Sequence, residues 1–78
     1  MGKKSEIELA VAMKVKEMRE KIDLSQDDIA IILEVSRGFI GQVESPKYAS
    51  KYNLNHLNTL AKYFKCSPRD FLPDDPVE

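Results

Sequence analysis

The segment at residues 25–44, SQDDIAIILEVSRGFIGQVE, constrains the fold of this chain most strongly, because it predicts two short helices joined by a tight turn. Ser25 is a common N-cap residue, and Asp28 lies where it can complete a pair resembling a capping box. The apolar residues that follow recur at helical spacing on one face: Ile29, Ala30 and Leu33. The first helix of the pair is therefore expected to be buried along that face.

The second helix of the pair has a polar outer face. Ser36 caps it after the turn at Glu34 and Val35. Its inward face is formed by two apolar residues, Ile40 and Val43. The outer face is left with Arg37, Gly38, Gly41 and Gln42. Arginine and glutamine can bond bidentately to guanine and adenine edges, and glycine allows another surface to approach closely. This layout is typical of a helix-turn-helix.

The distribution of charge along the chain favours an anionic partner, although the net charge of the whole chain does not. The 78 residues carry a formal net charge of −1. Residues 35–65, however, contain five Lys or Arg and one Glu, for +4, whereas residues 1–34 carry −2 and residues 66–78 carry −3. Because salt screens exposed charges beyond ~8–10 Å, local charge matters more for phosphate contact than the total. A merely solvated surface is the alternative interpretation of this segment.

Length and composition exclude several classes of protein. The 78 residues suffice for one small domain. No apolar run approaches the ~20 residues of a membrane span. Residues 1–4, MGKK, lead into a charged helix rather than into an apolar signal core. We therefore expect a cytoplasmic protein with no membrane contact.

Neither a metal site nor a catalytic site is evident. Cys66 and His56 are the only cysteine and the only histidine, and their spacing fits no zinc site. The sequence has no nucleophile elbow, no phosphate-binding glycine loop and no carboxylate pair in an evident cleft. We expect no enzyme activity, no metal and no cofactor.

The whole chain predicts a single all-α domain of five helices at residues 1–72, followed by a short acidic tail at residues 73–78. The helices are expected at residues 5–21, 25–33, 36–44, 53–64 and 67–72, with a loop at residues 45–52. Pro68 stands at the first helical position of the fifth helix, and Pro73 ends it.

Motifs along most of the chain resemble those of a known family. They are KVKEMREKIDLSQDDIA, which begins at Lys14, then VSRGFIGQVES, then LNTLAKYFKCSPRDFL, which ends at Leu72. Their order is similar to that of the lambda repressor-like family of DNA-binding domains, the Cro and xenobiotic-response-element type. The resemblance implies a helix-turn-helix at the second and third helices. It also implies a sequence-specific transcriptional regulator, of the repressor kind, that binds double-stranded DNA.

The resemblance implies roles for the polar residues of the motif. Base reading falls to the outer face of the third helix, with Ser36, Arg37, Gly38, Gly41 and Gln42. Contacts with the DNA backbone fall to Gln26, Ser45, Lys47 and Lys51. The alternative for Arg37 and Gln42 is a solvated helix face, and the alternative for the glycines is drift at positions no longer used.

A structural ion pair is also implied. The family places an arginine late in helix 1 and a glutamate at the end of helix 3, and Arg19 and Glu44 match these positions. Such a pair would hold the recognition helix against the scaffold, so Glu44 is not interpreted as a catalytic acid. Cys66 matches a small apolar core position. Phe39 is expected to pack against the loop aromatics, with contact to a thymine methyl as the alternative. His56 is expected to face solvent.

This chain departs from the family pattern in places. Glu34 stands where a glycine is usual, Ser45-Pro46 replaces Asn-Gly, and Gly38 replaces a polar side chain. A left-handed backbone costs a residue with a Cβ roughly 1 kcal/mol. The turn at Glu34 is therefore expected to differ locally from that of the family.

Two further classes of function stay open. The antitoxin of a toxin–antitoxin pair would also bind a small protein partner on a surface away from the third helix. A protein-interaction module of the same fold would have lost DNA binding, an interpretation favoured by the acidic total and by Gly38 and Gly41. For a DNA-binding regulator we expect a homodimer, at least on DNA, because one module covers only a half-site.

Overall fold

The computed structural model describes residues 3–77, and α-helices dominate this range. The helices are α1 Glu6–Lys21, α2 Gln26–Leu33, α3 Arg37–Val43 and α4 Leu54–Phe64, followed by a short 3₁₀ helix at Pro68–Phe71. Residues 3–77 contain no β-strand, which confirms the all-α class for that range, and none of their helices is long and apolar enough to cross a bilayer. Met1, Gly2 and Glu78, which the predicted domain and tail include, lie outside the described residues.

The prediction of a fifth α-helix is wrong. Pro68–Phe71 forms a 3₁₀ helix capped by Ser67, whose Oγ accepts a hydrogen bond from the backbone N–H of Arg69 at 3.3 Å. Leu72 is already extended, with φ −100° and ψ 147°. Proline pushes the preceding residue out of the α region, and Pro73 follows Leu72 directly. The segment is therefore too short for α-helical hydrogen bonding.

Each helix begins at a side-chain cap. The N-cap residues are Ser5, Ser25, Ser36, Asn53 and Ser67. At all of these starts except that of α3, the third helical residue returns a side-chain hydrogen bond and completes a capping box. In α3 the third residue is Phe39, which has no polar side-chain atom. The start of α3 therefore depends on the Ser36 hydroxyl alone.

Left-handed residues other than glycine end α1, α2 and α4. Asp23, Glu34 and Lys65 have φ angles of 60°, 58° and 59°. After each of them, the next backbone N–H bonds to the carbonyl five residues back, as from Val35 to Ala30 at 2.9 Å. The expectation of a locally different turn is wrong, since Glu34 itself adopts the left-handed conformation. These hydrogen bonds outweigh a conformational cost of roughly 1 kcal/mol.

The core is one apolar cluster to which every helix contributes. Its largest fully buried side chains are Val15, Ile29, Ile40, Val43, Leu60 and Phe71. Phe71 anchors the 3₁₀ helix, because its ring meets that of Phe64 edge-on with the centroids 6.2 Å apart. Cys66 is partly buried against the same cluster.

His56 does not face solvent as predicted. Its ring is half-buried, with its centroid 5.6 Å from that of Phe39 and 6.0 Å from that of Tyr52. Nδ1 accepts a hydrogen bond from the Asn53 N–H at 3.1 Å, which draws the ring back over the first turn of α4. Burial lowers the pKa of His56. Phe39 therefore packs against His56, whereas Tyr48 of the loop is half exposed.

We predict that Glu34→Gly stabilises the fold, because glycine adopts a left-handed conformation without the Cβ penalty. Glycine also raises the entropy of the unfolded chain, so the net gain in free energy of unfolding is about 0.5–1 kcal/mol. This gain corresponds to an increase in melting temperature of about 2–8 °C, measured by circular dichroism. Glu34→Ala is the control, since it removes the charge and keeps the Cβ. An equal increase for Glu34→Ala would trace the effect to charge and contradict the backbone explanation.

Candidate nucleic-acid interface

The outer face of α3 is exposed because its other face is fully buried. Ile40 and Val43 have no accessible surface, and neither has Ile29 of the preceding α2. These contacts hold α3 against α2 along its length. The residues left outside are Arg37, Gly38 and Gln42, which are exposed, and Gly41, which is partly covered.

The N-terminal end of α3 presents hydrogen-bond donors to solvent. Ser36 Oγ accepts a hydrogen bond from the Phe39 N–H at 3.0 Å, which leaves the hydroxyl proton available to an outside acceptor. Arg37 is exposed and forms no ion pair with any residue from 3 to 77. Its guanidinium carries five donors in a planar fork, which matches the edge of guanine or a phosphate.

Gln42 is held by the loop that follows α3. Its Oε1 accepts a hydrogen bond from Ser50 Oγ at 3.0 Å. No signal in the sequence marked Ser50, because the contact depends on how the loop folds back. The contact orients the amide and leaves both of its N–H donors and one lone pair available. Recognition of adenine by glutamine uses one N–H and the carbonyl oxygen together.

Neither glycine of α3 is required by the fold. A Cβ at Gly38 would meet no atom within 4 Å, and a Cβ at Gly41 would lie 3.6 Å from Oε1 of Gln26, an ordinary contact. Glycine costs a helix interior roughly 1 kcal/mol relative to alanine. The glycines therefore weaken α3 without an internal packing reason, and they leave its outer face low enough for a close approach.

A buried ion pair joins the end of α1 to the end of α3. Arg19 Nε donates to Glu44 Oε2 and Arg19 Nη2 donates to Glu44 Oε1, both at 2.8 Å. Arg19 Nη1 donates to the carbonyl of Leu24 at 2.9 Å, in the turn before α2. The two charged side chains are only 10% and 4% exposed. One guanidinium therefore connects α1, α3 and the turn between α1 and α2.

Gln26, a residue expected at the DNA backbone, turns toward this pair. Its Nε2 donates to Glu44 Oε1 at 3.0 Å, so one amide hydrogen is used inside the protein and the amide keeps a second donor. Burial by itself raises the pKa of Glu44, but the hydrogen bonds from Arg19 and Gln26 outweigh it and hold the pKa below its ordinary value. The hydrogen bonds to Glu44 raise the pKa of Arg19. Both partners are therefore charged at neutral pH.

Tyr52 lies in the interior near the ion pair. Its side chain is buried, and its hydroxyl finds no hydrogen-bond partner among residues 3–77. Burial raises the pKa of this hydroxyl, and the charge of Glu44 adds to the effect. The hydroxyl therefore stays neutral, and the ring contributes mainly by filling the core.

The two lysines of the loop differ in their partners. Lys47 is exposed and pairs with no carboxylate within residues 3–77. Lys51 Nζ, in contrast, lies 2.8 Å from Oε2 of Glu8 in the first turn of α1. Equal formal charges therefore do not offer equal attraction to a phosphate.

Lys4 caps the C-terminal end of α3, a role that no sequence signal indicated. Its ammonium donates to the backbone carbonyl of Tyr48 at 2.6 Å, to that of Gln42 at 3.4 Å and to that of Ser45. Partial burial lowers the pKa of Lys4. A cation at a helix C-terminus complements the helix dipole, so Lys4 stabilises the junction of α3 and the loop.

Within residues 3–77, no three His, Cys, Asp or Glu side chains lie close enough together to hold a metal ion. The chemistry of the surface around α3 is that of hydrogen-bond donors and cations. This combination binds acceptor-rich, anionic partners.

Several solved structures have a similar arrangement of helices. The restriction-modification controller protein C.AhdI from Aeromonas hydrophila matches with a TM-score of 0.67 and 23% identity, covering 82% of this chain and 94% of that chain. The hypothetical transcription factor NHTF from Neisseria matches with a TM-score of 0.71 and 16% identity, covering 87% and 76%. An HTH_3 family transcriptional regulator from Vibrio cholerae matches with a TM-score of 0.67 and 26% identity, covering 83% of this chain and 35% of that one.

These likenesses, together with the buried α2 and the exposed face of α3, decide the fold. The chain has a lambda repressor-like helix-turn-helix fold. The resemblance of its sequence motifs to that family agrees with the structure neighbours. No protein-family model and no curated protein sequence matches the chain. Within the helix-turn-helix, α2 is the first helix and α3 is the second.

Most of the expected site residues lie on α3 or on the loop that follows it. The outer face of α3 carries Ser36, Arg37, Gly38, Gly41 and Gln42, and the adjoining loop carries Ser45, Lys47 and Lys51. Gln26 lies at the first turn of α2, next to Gly41. The residues that the sequence did not mark are Lys4, Glu8 and Ser50, which join this surface through contacts distant in sequence.

We predict that Arg19→Ala and Glu44→Ala each lower the free energy of unfolding by about 3 kcal/mol or more, because each leaves a buried charge without its partner. The double variant should recover part of the loss, since it leaves neither charge behind. Thermal or urea unfolding at pH 7 measures the cycle. At this pH the pair is fully ionised; because the pKa of Glu44 is lowered, its contribution is lost only as the pH falls below about 4.5.

The exposed pair of Lys14 and Glu17, 3.6 Å apart, provides the matched control for that cycle. Glu17→Ala should change the free energy of unfolding by less than about 0.5 kcal/mol. If the losses at Arg19 and Glu44 are strictly additive, the two residues do not depend on each other in the way described.

Proposed function

We propose that this protein is a sequence-specific DNA-binding transcription regulator of the repressor kind, with α3 in the major groove. The observation that carries the proposal is the exposed face of α3, where Arg37 and Gln42 project from a helix whose opposite face is fully buried. Side chains on a rigid helix present donors in a constant pattern, which reading base edges requires. The same fold in C.AhdI, a restriction-modification controller protein, supports the regulator class.

The surroundings of α3 fit the DNA backbone. Lys47 is exposed with no carboxylate partner among the described residues, and Gln26 keeps one amide hydrogen for a phosphate. Residues 35–65 carry a net charge of +4, whereas the segments before and after them are acidic. Phosphate contacts from this side would set the register of α3 in the groove. We propose a cytoplasmic location, where a regulator of this kind has access to its DNA.

We also propose that two copies bind one operator. A single module contacts only a half-site of a few base pairs, which is too short to mark a unique position in a genome. A symmetric pair on an inverted repeat doubles the length of sequence read. The helix-turn-helix domain in this proposal spans residues 1–72, and residues 73–78 form an acidic tail.

A protein-interaction module is the second candidate. It is favoured by the open space at Gly38 and by the hydrogen bond that engages Gln42 with Ser50, because a flat and partly satisfied face also suits a protein surface. An antitoxin would combine both functions, with α3 on DNA and a small protein partner on another face. Selection of bound DNA separates the interaction module from the other two classes.

We predict that the purified protein enriches an inverted repeat from fragmented genomic DNA at low salt, with two protomers per duplex at saturation. Sequencing of the bound fragments and sedimentation of the complex measure these outcomes. If no sequence is enriched over random DNA, the proposal of a DNA-binding regulator is rejected and the protein-interaction module takes its place.

Binding of protein variants to the enriched DNA site distinguishes residues that read bases from residues that contact the DNA backbone. Arg37→Ala should weaken binding by about 1–3 kcal/mol and relax the preference at one base pair of each half-site. Lys47→Ala should weaken all sequences alike and reduce the slope of log K against log salt by roughly 0.9 per protomer. A uniform loss for Arg37→Ala would place this side chain at a phosphate instead.

Gly38→Ala tests whether the flat face of α3 matters for binding. The variant should raise the free energy of unfolding by up to about 1 kcal/mol, because alanine favours the helix and its Cβ has open space. If α3 approaches base edges closely, the same methyl should weaken DNA binding although the protein is more stable. Melting temperature and affinity for the enriched site are measured on the same preparation. Higher stability with unchanged affinity would show that the glycine is not used for close approach.

A further inference from the structure

A carboxylate lies against one of the cations expected to contact DNA. Oε2 of Glu8 is 2.8 Å from Nζ of Lys51, and the two side chains are 31% and 50% exposed. Lys51 belongs to the loop after α3, whereas Glu8 belongs to the first turn of α1. The contact is therefore made across the tertiary structure, at the edge of the α3 surface.

The position of Glu8 does not depend on Lys51. The other oxygen of its carboxylate, Oε1, accepts a hydrogen bond from the Ser5 N–H at 2.8 Å, and the Ser5 hydroxyl accepts one from the Glu8 N–H in return. This capping box holds the carboxylate at the helix start and leaves Oε2 facing the loop. The hydrogen bond from Lys51, together with those of the cap, lowers the pKa of Glu8 to about 2. The carboxylate is therefore ionised at any physiological pH.

A carboxylate oxygen and a phosphate oxygen are equivalent acceptors for a lysine ammonium, and each forms a charge-assisted hydrogen bond with it. While Lys51 is paired with Glu8, a phosphate must displace that carboxylate or share the ammonium with it. A free lysine that neutralises a phosphate releases a counterion from the DNA, and this release favours binding. Because Glu8 already neutralises Lys51, the contact of Lys51 with a phosphate gains less from this release. Lys47 of the same loop has no such competitor among the described residues.

We propose that Glu8 acts as an internal substitute for a DNA phosphate, which holds Lys51 in the unbound protein and lowers its attraction to the DNA backbone. This inference rests on the proposed function, since it concerns how the same surface binds DNA. Its consequence is that the sequence-independent part of the affinity is weaker than the formal charge of the loop indicates. Binding then relies more on the contacts of α3 with base edges.

Glu8→Gln tests the proposal without disturbing the helix start, because glutamine also completes a capping box. The probe is a fluorescein-labelled DNA duplex of mixed sequence, titrated with protein over a series of KCl concentrations and followed by fluorescence anisotropy. We expect Glu8→Gln to raise the affinity roughly three- to tenfold at 0.1 M KCl, and to steepen the salt dependence by roughly 0.9 per protomer. Circular dichroism should show an unchanged helix content.

Glu6→Gln is the matched control, since Glu6 is an exposed acid in the same turn of α1 and forms no ion pair within residues 3–77. It removes an equal charge and leaves the contact between Glu8 and Lys51 in place. Equal gains in DNA affinity for Glu6→Gln and Glu8→Gln would show that the effect is long-range repulsion between acidic groups and DNA, and would overturn the proposal. A loss of affinity for Glu8→Gln would also overturn it, because Glu8 would then be positioning Lys51 for DNA.

Lys51→Ala in both backgrounds completes the experiment. The loss of affinity from Lys51→Ala should be larger in the Glu8→Gln background than in the wild-type protein, since only there is the ammonium unopposed. Equal losses of affinity in both backgrounds would show that Glu8 does not compete with DNA phosphates for Lys51, and would overturn the proposal. If none of these proteins binds the duplex at low salt, the DNA-binding function itself fails. Binding by all of them without an effect specific to Glu8 rejects only this inference.

Discussion

The ion pair between Arg19 and Glu44 is the interaction on which the placement of α3 depends. α3 has only 7 residues, and two of them are glycine, so it would not be stable as an isolated helix. Glu44 ends α3, and its carboxylate accepts hydrogen bonds from Arg19 and from Gln26. Since a buried carboxylate without its partner is very unfavourable, the end of α3 must stay beside α1 and the start of α2.

The exposed face of α3 follows from this arrangement. The ion pair and the buried apolar face, with Ile40 and Val43, hold one side of the helix, so the side that carries Arg37 cannot turn inward. Such a surface is pre-organised, because binding a partner does not require α3 to fold or to move. The glycines of α3 weaken the helix locally, and the scaffold compensates for that loss.

The cations of this surface divide into those engaged inside the protein and those presented to solvent. Arg19 is buried, Lys4 is bound to backbone carbonyls and Lys51 is paired with Glu8. Arg37 and Lys47 remain exposed without a carboxylate partner in the described part of the chain. Within residues 35–65, Lys51 is paired with Glu8 and Glu44 is paired with Arg19, so the net charge of +4 does not identify which cations a phosphate would meet. Formal charge is additive along a sequence, but its effect on a ligand depends on the neighbours of each group.

The sequence by itself determined the elements whose causes are local. Side-chain caps and apolar spacing act within a few residues, so the starts of all helices and the inward faces of α2 and α3 could be predicted. The helix at residues 67–72 differs in type from the expected α-helix, because Pro73 keeps Leu72 extended and leaves room only for a 3₁₀ helix. The exposed face of α3 could be located because exposure of one face follows from burial of the other.

Only the tertiary structure decided which polar groups meet. Three contacts join residues that no local sequence pattern connects: Glu8 with Lys51, Lys4 with the end of α3, and Gln42 with Ser50. The half-buried place of His56 depends likewise on the approach of α4 to Phe39. Hydrogen bonds and ion pairs act over a few ångströms of space, whatever the separation along the chain, so a sequence gives the donors and acceptors and the packed core determines their partners.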